Sequence, residues 1–279
     1  MAVRHFLAIG DLSERELRGV LDDAARSKRA RGPGSRALAG RVVALVFQKP
    51  SMRTRVAFEV AVLQLGGSVI YLGQDDIRLG EREPVKDVAR VLSRYVNGIV
   101  VRTFAHRDVE EFARYATVPV INGLSDLMHP CQAVADVMTL EEQFGRLKGL
   151  KLAYVGDGNN VLHSLVECCA MVGVDVAAAT PRGFRPNNAI WRRAAQTAKR
   201  HGAMLSWSAS PREAVQGADA IYTDVWVSMG KEQEGRARRS VFRRYQVNDA
   251  LLKRAKGRCR VMHCLPAHRG EEITDDLME

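Results

Sequence analysis

The chain has 279 residues, of which 46% are hydrophobic, so it can form a folded interior and is not an intrinsically disordered protein. Its net charge of +10 would suit nucleic acid, membrane headgroups or small anionic substrates. No apolar run is long enough to span a bilayer and the N-terminus turns polar too early for a signal peptide, so we expect a soluble, cytoplasmic protein without a membrane partner. Five cysteines without a Cys-x-x-Cys pair argue against a disulfide framework or a zinc site.

The first half of the chain alternates strand and helix patterns. Apolar runs predict strands at 42–47, 68–72, 98–102 and 118–121, and helical periodicity predicts helices at 53–65, 84–96 and 108–116. A further helix is predicted from Pro130 to about Phe144, because proline is favoured at the first helical position.

The second half repeats this alternation, with strands predicted at 151–155, 174–179, 203–207, 219–223 and 260–263. Helices are predicted at 161–172, 189–200 and 211–217. Repeated alternation indicates parallel sheets with helices on both faces. We therefore predict an α/β fold of two domains, residues 1–139 and 140–279, each a mostly parallel sheet flanked by helices, with an active-site cleft between them. In such sheets ligands bind beyond the carboxyl ends of the strands.

The segment Ser51-Met-Arg-Thr-Arg55 joins the first predicted strand to the first predicted helix. Ser51 occupies the N-cap position, and the apolar residues that define the helix fall on one face: Ala57, Val60, Ala61 and Leu65. Helix N-termini favour anions, and two guanidiniums add bidentate donors for a phosphate or carboxylate. The alternative is a capped helix with solvated arginines.

His129-Pro-Cys-Gln132 opens the helix that joins the two halves. A neutral imidazole and a glutamine amide can both donate to a carbonyl oxygen without bringing a full charge. The alternative for this segment alone is a histidine cap and a solvated glutamine.

Gly156-Asp-Gly-Asn-Asn160 follows a predicted strand and opens a helix. It begins like a dinucleotide-binding fingerprint, but Val161 follows and the third glycine is missing, so a nicotinamide site is disfavoured. Tandem asparagines suit a zwitterionic ligand, because each amide both donates and accepts. A turn built from glycine and asparagine is the alternative.

Two later strands also end in chemically distinctive segments. Asp224-Val-Trp-Val-Ser-Met-Gly230 combines a carboxylate that can hold an ammonium with the hydroxyl of Ser228. Met262-His-Cys-Leu-Pro-Ala267 carries Cys264, which is either a core thiol or a participant in proton transfer beside a carboxylate. The densest basic segment, Gly235-Arg-Ala-Arg-Arg-Ser240, lacks a nucleic-acid motif, so we interpret it as a solvated surface and expect no nucleic-acid partner.

These segments, in this order, resemble the ornithine carbamoyltransferases. The motifs that carry the resemblance are Ser51–Arg55, His129–Gln132, Asp157–Asn160, Asp224–Gly230 and His263–Pro266. The first two are shared with the aspartate and other carbamoyltransferases, and the last two point to ornithine. The resemblance covers essentially the whole chain.

The resemblance implies transfer of a carbamoyl group from carbamoyl phosphate to the side-chain amine of L-ornithine, giving L-citrulline and phosphate. It also implies a homotrimer or a multiple of trimers, with no metal and no cofactor. The residues implied to bind carbamoyl phosphate are Ser51, Met52, Arg53, Thr54, Arg78, Arg102, His129, Gln132, Cys264 and Leu265. Those implied to bind ornithine are Asn160, Asp224, Ser228 and Met229. The catalytic residues would be Arg102, His129, Asp224 and Cys264.

Ornithine must lose a proton before it attacks, and we hypothesise that Asp224 and Cys264 assist this loss. Met52 stands where ornithine enzymes usually carry threonine, and Arg78 where some members have glutamine. Family members also have a last helix with another arginine, which has no counterpart before Glu279. The alternatives are a sister transferase for putrescine, acetylornithine or aspartate, and a non-catalytic homologue.

Overall fold

The computed structural model describes residues 3–30, 36–228, 230 and 232–279. The chain folds into two compact units, Met1–Val134 and Ala135–Glu279. The boundary between them falls within a single helix, Pro130–Phe144.

The first unit is built on a parallel sheet of four strands. These are β1 (Val42–Phe47), β2 (Ser68–Leu72), β3 (Gly98–Arg102) and β4 (Val120–Leu124), in the order β2-β1-β3-β4. The helices are α1 (Glu14–Arg29), α2 (Met52–Gln64), α3 (Gln74–Ile77), α4 (Val85–Tyr95), α5 (His106–Tyr115) and α6 (Pro130–Phe144), which continues into the second unit.

Both faces of this sheet are covered, which explains why its central strands are continuous apolar runs. On one face Val46 and Val101 pack in a cluster with Val88 of α4 and Phe112 of α5. On the other face, a second cluster contains Val62 of α2.

The second unit contains a parallel sheet of five strands. These are β5 (Lys151–Val155), β6 (Asp175–Ala179), β7 (Leu205–Ser208), β8 (Ala220–Thr223) and β9 (Arg260–His263), in the order β7-β6-β5-β8-β9. Its helices are α7 (Asn160–Val172), α8 (Asn188–His201), α9 (Pro211–Val215), α10 (Gly235–Phe242) and α11 (Asp249–Leu252). Short 3-10 turns lie at Ile9–Asp11, Arg182–Phe184, Glu232–Glu234, Arg243–Tyr245 and Asp275–Leu277. Across the described residues, we find no helix with both the length and the apolar character needed to cross a membrane.

The predicted fold class, two α/β units with parallel sheets, is confirmed. Four helices were not predicted: α1, α3, α10 and α11. Helix α1 had a recognisable start, because Ser13 and Glu16 form a capping box in which the Ser13 amide donates to Glu16 Oε2 at 2.8 Å. Leu17 and Leu21, one turn apart, then form its buried face.

Helix α2 packs differently from the face that its sequence suggested. Ala57, Val60 and Ala61 are exposed, and Val62 is the buried residue of this helix. Apolar side chains occur all round α2, so periodicity alone does not identify the side that faces the sheet.

The strand order places one topological switch point in each sheet. The chain leaves β1 towards β2 and leaves β3 towards β4, on opposite sides, so a crevice forms at the carboxyl ends of β1 and β3. The equivalent position in the second sheet lies between β5 and β8.

Candidate active site

The loop after β1 leads into the N-terminus of α2. Ser51 has the extended backbone of an N-cap (φ −162°) and its hydroxyl accepts from the Thr54 amide at 3.3 Å, so the predicted cap is confirmed. The remaining amides of the first turn of α2 have no partner within the helix. Free amides at a helix N-terminus favour an anion.

The two arginines of this segment have different surroundings. Arg53 is exposed, and its guanidinium makes no ion pair with the part of the chain that is described. Arg55 instead donates to Glu59 Oε1 at 2.8 Å, and its guanidinium carbon lies 3.7 Å from the centroid of the Tyr71 ring. The prediction of two guanidiniums for the anion is therefore wrong for Arg55, whose charge is already paired one turn along α2.

A buried arginine bridges the first switch point. Arg102, the last residue of β3, is 5% exposed and its Nη1 donates to Thr54 Oγ1 at 3.2 Å. Burial, and then the charge of Arg102, lowers the pKa of His129 to about 3. The imidazole of His129 is therefore neutral at physiological pH, and it can donate to an oxygen that gains negative charge.

Two other predicted residues, Gln132 and Arg78, have different surroundings. Gln132 is half-buried in the first turn of α6. Arg78 is exposed at the end of α3 with a left-handed backbone (φ 38°), and its backbone bonds to Gln74, Glu81 and Arg82 within its own loop. The structure does not bring Arg78 together with Thr54 and Arg102.

Gln48 and Lys49 were missed by the sequence interpretation. The Gln48 side chain donates to the Leu79 carbonyl at 3.0 Å and accepts from the Phe104 amide at 3.2 Å, so it holds three loops at the carboxyl edge of the sheet. Lys49 is 7% exposed and its Nζ lies 4.7 Å from the centroid of the Phe104 ring. Their position directly after β1 was the available signal, since polar residues there face the ligand-binding edge.

At the second switch point a carboxylate is held by two donors. Asp224, directly after β8, is 6% exposed and accepts from Asn159 Nδ2 at 2.6 Å and from the Cys264 thiol at 3.0 Å. Asn159 is also the N-cap of α7. The side chain of Asn160, which was predicted to bind the ligand, accepts from the Val161 amide at 3.0 Å. Of the two asparagines, Asn159 is the one that orients the carboxylate.

The environment of Cys264 fixes its protonation. Burial, and next the charge of Asp224, raises the pKa of this thiol well above its usual range. Cys264 therefore stays protonated at neutral pH. In that state it is a hydrogen-bond donor to Asp224 and not a proton acceptor.

The remaining predicted residues follow β8 and β9 in the sequence. Leu265 has a left-handed backbone (φ 59°) and its amide donates to His263 Nδ1 at 2.8 Å, while His263 Nε2 lies 3.2 Å from Glu272 Oε1. Ser228 is half-buried, two residues after the buried Trp226. Met229 lies outside the described residues.

Gly158 explains why the Gly156–Asn160 turn resembles a dinucleotide-binding loop. A Cβ added at Gly158 would lie 2.4 Å from the Phe184 carbonyl oxygen and 2.4 Å from the Pro186 nitrogen. The Gly158 amide donates to that carbonyl at 3.0 Å. This glycine permits two backbone segments to pack together and is not there to admit a pyrophosphate.

Two groups of side chains in the described ranges have metal-binding atom types within 4.8 Å of one another: Asp224 with His263 and Cys264, and His268 with Glu271 and Glu272. In the first group both ring nitrogens of His263 already have partners, and the Cys264 thiol donates to Asp224. The first group is therefore a hydrogen-bonded network.

The chain was compared with known families and proteins. Residues 4–142 match the carbamoyl-P binding domain of the aspartate/ornithine carbamoyltransferases, and residues 148–279 match their Asp/Orn binding domain. An ornithine carbamoyltransferase of Gloeobacter violaceus is 54% identical over 98% of this chain and 87% of its own length. An anabolic ornithine carbamoyltransferase of Pyrococcus furiosus is 50% identical over 100% of this chain and 89% of its own. A solved ornithine carbamoyltransferase of Pyrococcus furiosus superposes with a TM-score of 0.95 and 49% identity, over 100% of this chain and 90% of the other.

Proposed function

Because the chain belongs to the aspartate/ornithine carbamoyltransferase family, we propose that it transfers the carbamoyl group of carbamoyl phosphate to the side-chain amine of L-ornithine, producing L-citrulline and phosphate. The observation that carries the proposal is the carboxylate of Asp224. It is 6% exposed and held by two donors at a topological switch point. A buried carboxylate in that position suits the ammonium group of an amino-acid acceptor.

We assign the donor substrate to the loops after β1 and β3. The start of α2, with Ser51, Met52 and Arg53, would hold the phosphate and offset its charge as it leaves. Thr54, Arg102 and the neutral His129 would donate to the carbonyl oxygen, which gains charge as the amine attacks. Gln132 would bind the carbamoyl amide, and Arg78 would contribute only after its loop rearranges.

We assign ornithine to the loops after β5, β8 and β9. Asn160, Asp224, Ser228 and Met229 would hold the amino acid, and Cys264 and Leu265 would contact its reacting end. An ammonium has no lone pair, so the attacking amine must first lose a proton. Asp224 is the group that would accept or position this proton, while the thiol of Cys264 fixes the orientation of the carboxylate.

The wider setting of the enzyme is also part of the proposal. We assign carbamoyl phosphate binding to residues 1–139 and ornithine binding to residues 140–279, with no cofactor. We further propose a cytoplasmic homotrimer, or a multiple of trimers, that acts in arginine biosynthesis. The name of the Pyrococcus furiosus relative, which describes that protein as anabolic, supports this direction.

The test is citrulline formation from carbamoyl phosphate and ornithine, with putrescine, acetylornithine and aspartate assayed in parallel. Turnover of ornithine well above that of the other amines supports the proposal. Preference for putrescine or acetylornithine would instead identify a sister transferase. Binding of carbamoyl phosphate without turnover of any amine would identify a non-catalytic homologue.

A further inference from the structure

The arginine-rich segment is not uniformly a solvated surface, as its sequence suggested. Residues Gly235–Phe242 form helix α10, and Arg236 and Arg239 on it are exposed. Arg238, between them, is 4% exposed. The interpretation as a solvated basic patch is therefore wrong for Arg238, and a buried guanidinium requires a specific set of acceptors.

Two of those acceptors come from different loops. Arg238 Nε donates to the Trp226 carbonyl at 2.6 Å, and Nη2 forms a buried ion pair with the Asp157 carboxylate. The guanidinium carbon also lies 4.7 Å from the centroid of the Phe184 ring and 5.3 Å from that of Phe242. The cation is thus enclosed by aromatic rings and paired with the buried carboxylate of Asp157, while the exposed carboxylate of Glu234 accepts from Nη1 at 3.4 Å.

Both loops belong to the acceptor half-site. Trp226 lies between Asp224 and Ser228 in the loop after β8, and Asp157 lies in the loop after β5 that leads to Asn159. These two loops flank the second switch point, where Asn159 donates to Asp224. The side chain of Arg238, on α10, therefore links these two loops at a second point.

We propose that Arg238 is a positioning residue for the acceptor amino acid: it fixes the spacing of the two loops that carry Asn159 and Asp224. This inference rests on the proposed function. The rigid planar fork of arginine directs separate N–H groups to the Trp226 carbonyl and to Asp157. A lysine ammonium is a point charge without this geometry, so it would keep the charge at the site and lose the fixed spacing.

The experiment compares Arg238→Lys with Arg236→Lys, a control on the exposed side of the same helix. Steady-state kinetics are measured with each substrate varied in turn, together with amide hydrogen exchange of residues 156–160 and 224–228. For Arg238→Lys we expect kcat/KM for ornithine to fall on the order of 100-fold, as for other small misplacements of binding groups. The KM for carbamoyl phosphate should not change, and exchange in both loops should become faster. Arg236→Lys should behave as the wild type.

Unchanged ornithine kinetics and unchanged exchange in Arg238→Lys would overturn the inference. An equal loss for both substrates would also overturn it, because that result indicates a general structural role. If Arg238→Lys does not fold, Asp157→Asn removes the other half of the ion pair and must show the same selective loss. If the wild type makes no citrulline, the proposed function fails. The positioning role of Arg238 is then decided by hydrogen exchange alone. Faster exchange of residues 156–160 and 224–228 in Arg238→Lys supports that role, and unchanged exchange overturns it.

Discussion

Cys264 and Asp224 show how one neighbour changes the chemistry of a residue. The sequence places a thiol and a carboxylate at two strand ends, which suggested shared proton transfer. Burial, and next the charge of the carboxylate, raises the pKa of the thiol, and the thiol donates to the carboxylate at 3.0 Å. The thiol therefore orients the carboxylate that we propose to meet the ammonium.

Replacing Cys264 distinguishes a hydrogen-bond donor from a group that takes part in proton transfer. Cys264→Ser keeps an O–H donor and should retain nearly the wild-type kcat and pH profile. Cys264→Ala removes the donor and should raise the KM for ornithine about tenfold, within the range for a hydrogen bond to a charged group. Cys259→Ala is the control, because Cys259 is a half-buried thiol at the opposite end of β9. A serine variant as defective as the alanine variant would contradict the donor role.

The neutral His129 predicts a defined pH dependence of stability. Its pKa is lowered from 6.5 to about 3 in the folded chain, so between these values the unfolded chain binds a proton that the folded chain does not. The free energy of unfolding should therefore fall as the pH drops from 6.5 towards 3. In His129→Asn this dependence should be shallower, as measured by urea midpoints at successive pH values.

His268→Asn is the control for that series, because His268 is exposed. This variant removes an exposed imidazole and keeps the buried imidazole of His129. Equal slopes for the wild type and His129→Asn would show that His129 is solvated in the folded chain.

At the scale of elements, the order of the strands decides which loops meet. Thr54 and Arg102 are 48 positions apart in sequence, and Asn159 and Asp224 are 65 apart. Each pair meets because its strands are neighbours at a switch point. The loop after β5 also packs closely against residues 184–186, which follow β6, and Gly158 makes this close approach possible.

Gly158→Ala tests that close packing. The new methyl group would lie within 2.4–2.5 Å of backbone atoms of residues 184–186, so one segment must move. We expect a loss of about 1–3 kcal/mol in the free energy of unfolding, measured by urea denaturation. Gly183→Ala is the matched control, since its added Cβ meets no atom within 4 Å. Equal free energies of unfolding for the two variants would show that residues 184–186 can move aside at no measurable cost.

The sequence predicted the strands and the motif segments well, because continuous apolar runs and polar strand ends are local patterns. Strand 98–102 and helix Pro130–Phe144 were found with their observed bounds. The sequence did not predict that Arg55 pairs with Glu59, that Asn159 rather than Asn160 orients Asp224, or that Arg238 is buried. Those outcomes depend on which side chain is oriented towards a neighbour distant in sequence, and no local pattern contains that information.

At the scale of the whole molecule, the outer side of α2 is unusually apolar. Val56, Val60 and Leu63 are 51%, 43% and 61% exposed, and their spacing places them along one side of the helix. Contiguous apolar surface of this kind commonly marks an interface between proteins. A further copy of the chain is the partner that the proposed trimer requires.

The assembly is tested by light scattering of the purified protein. We expect the mass of three 30.9 kDa chains for the wild type and of one chain for the double variant Val56→Glu/Leu63→Glu. Met204→Glu, at an exposed apolar position of the second unit, should remain a trimer. A monomeric wild type would contradict the proposed assembly, and a trimeric double variant would exclude α2 as the interface.

The two switch points lie in separate units, each with its own apolar core. This separation has an evolutionary consequence, because substitutions in the loops around Asp224 replace no residue of the apolar core of the first unit. A lineage could thus exchange one amine acceptor for another while its binding of carbamoyl phosphate, a labile mixed anhydride, stayed the same. The same independence offers a route for engineering, in which grafted loops of the second unit would redirect carbamoylation to new nucleophiles.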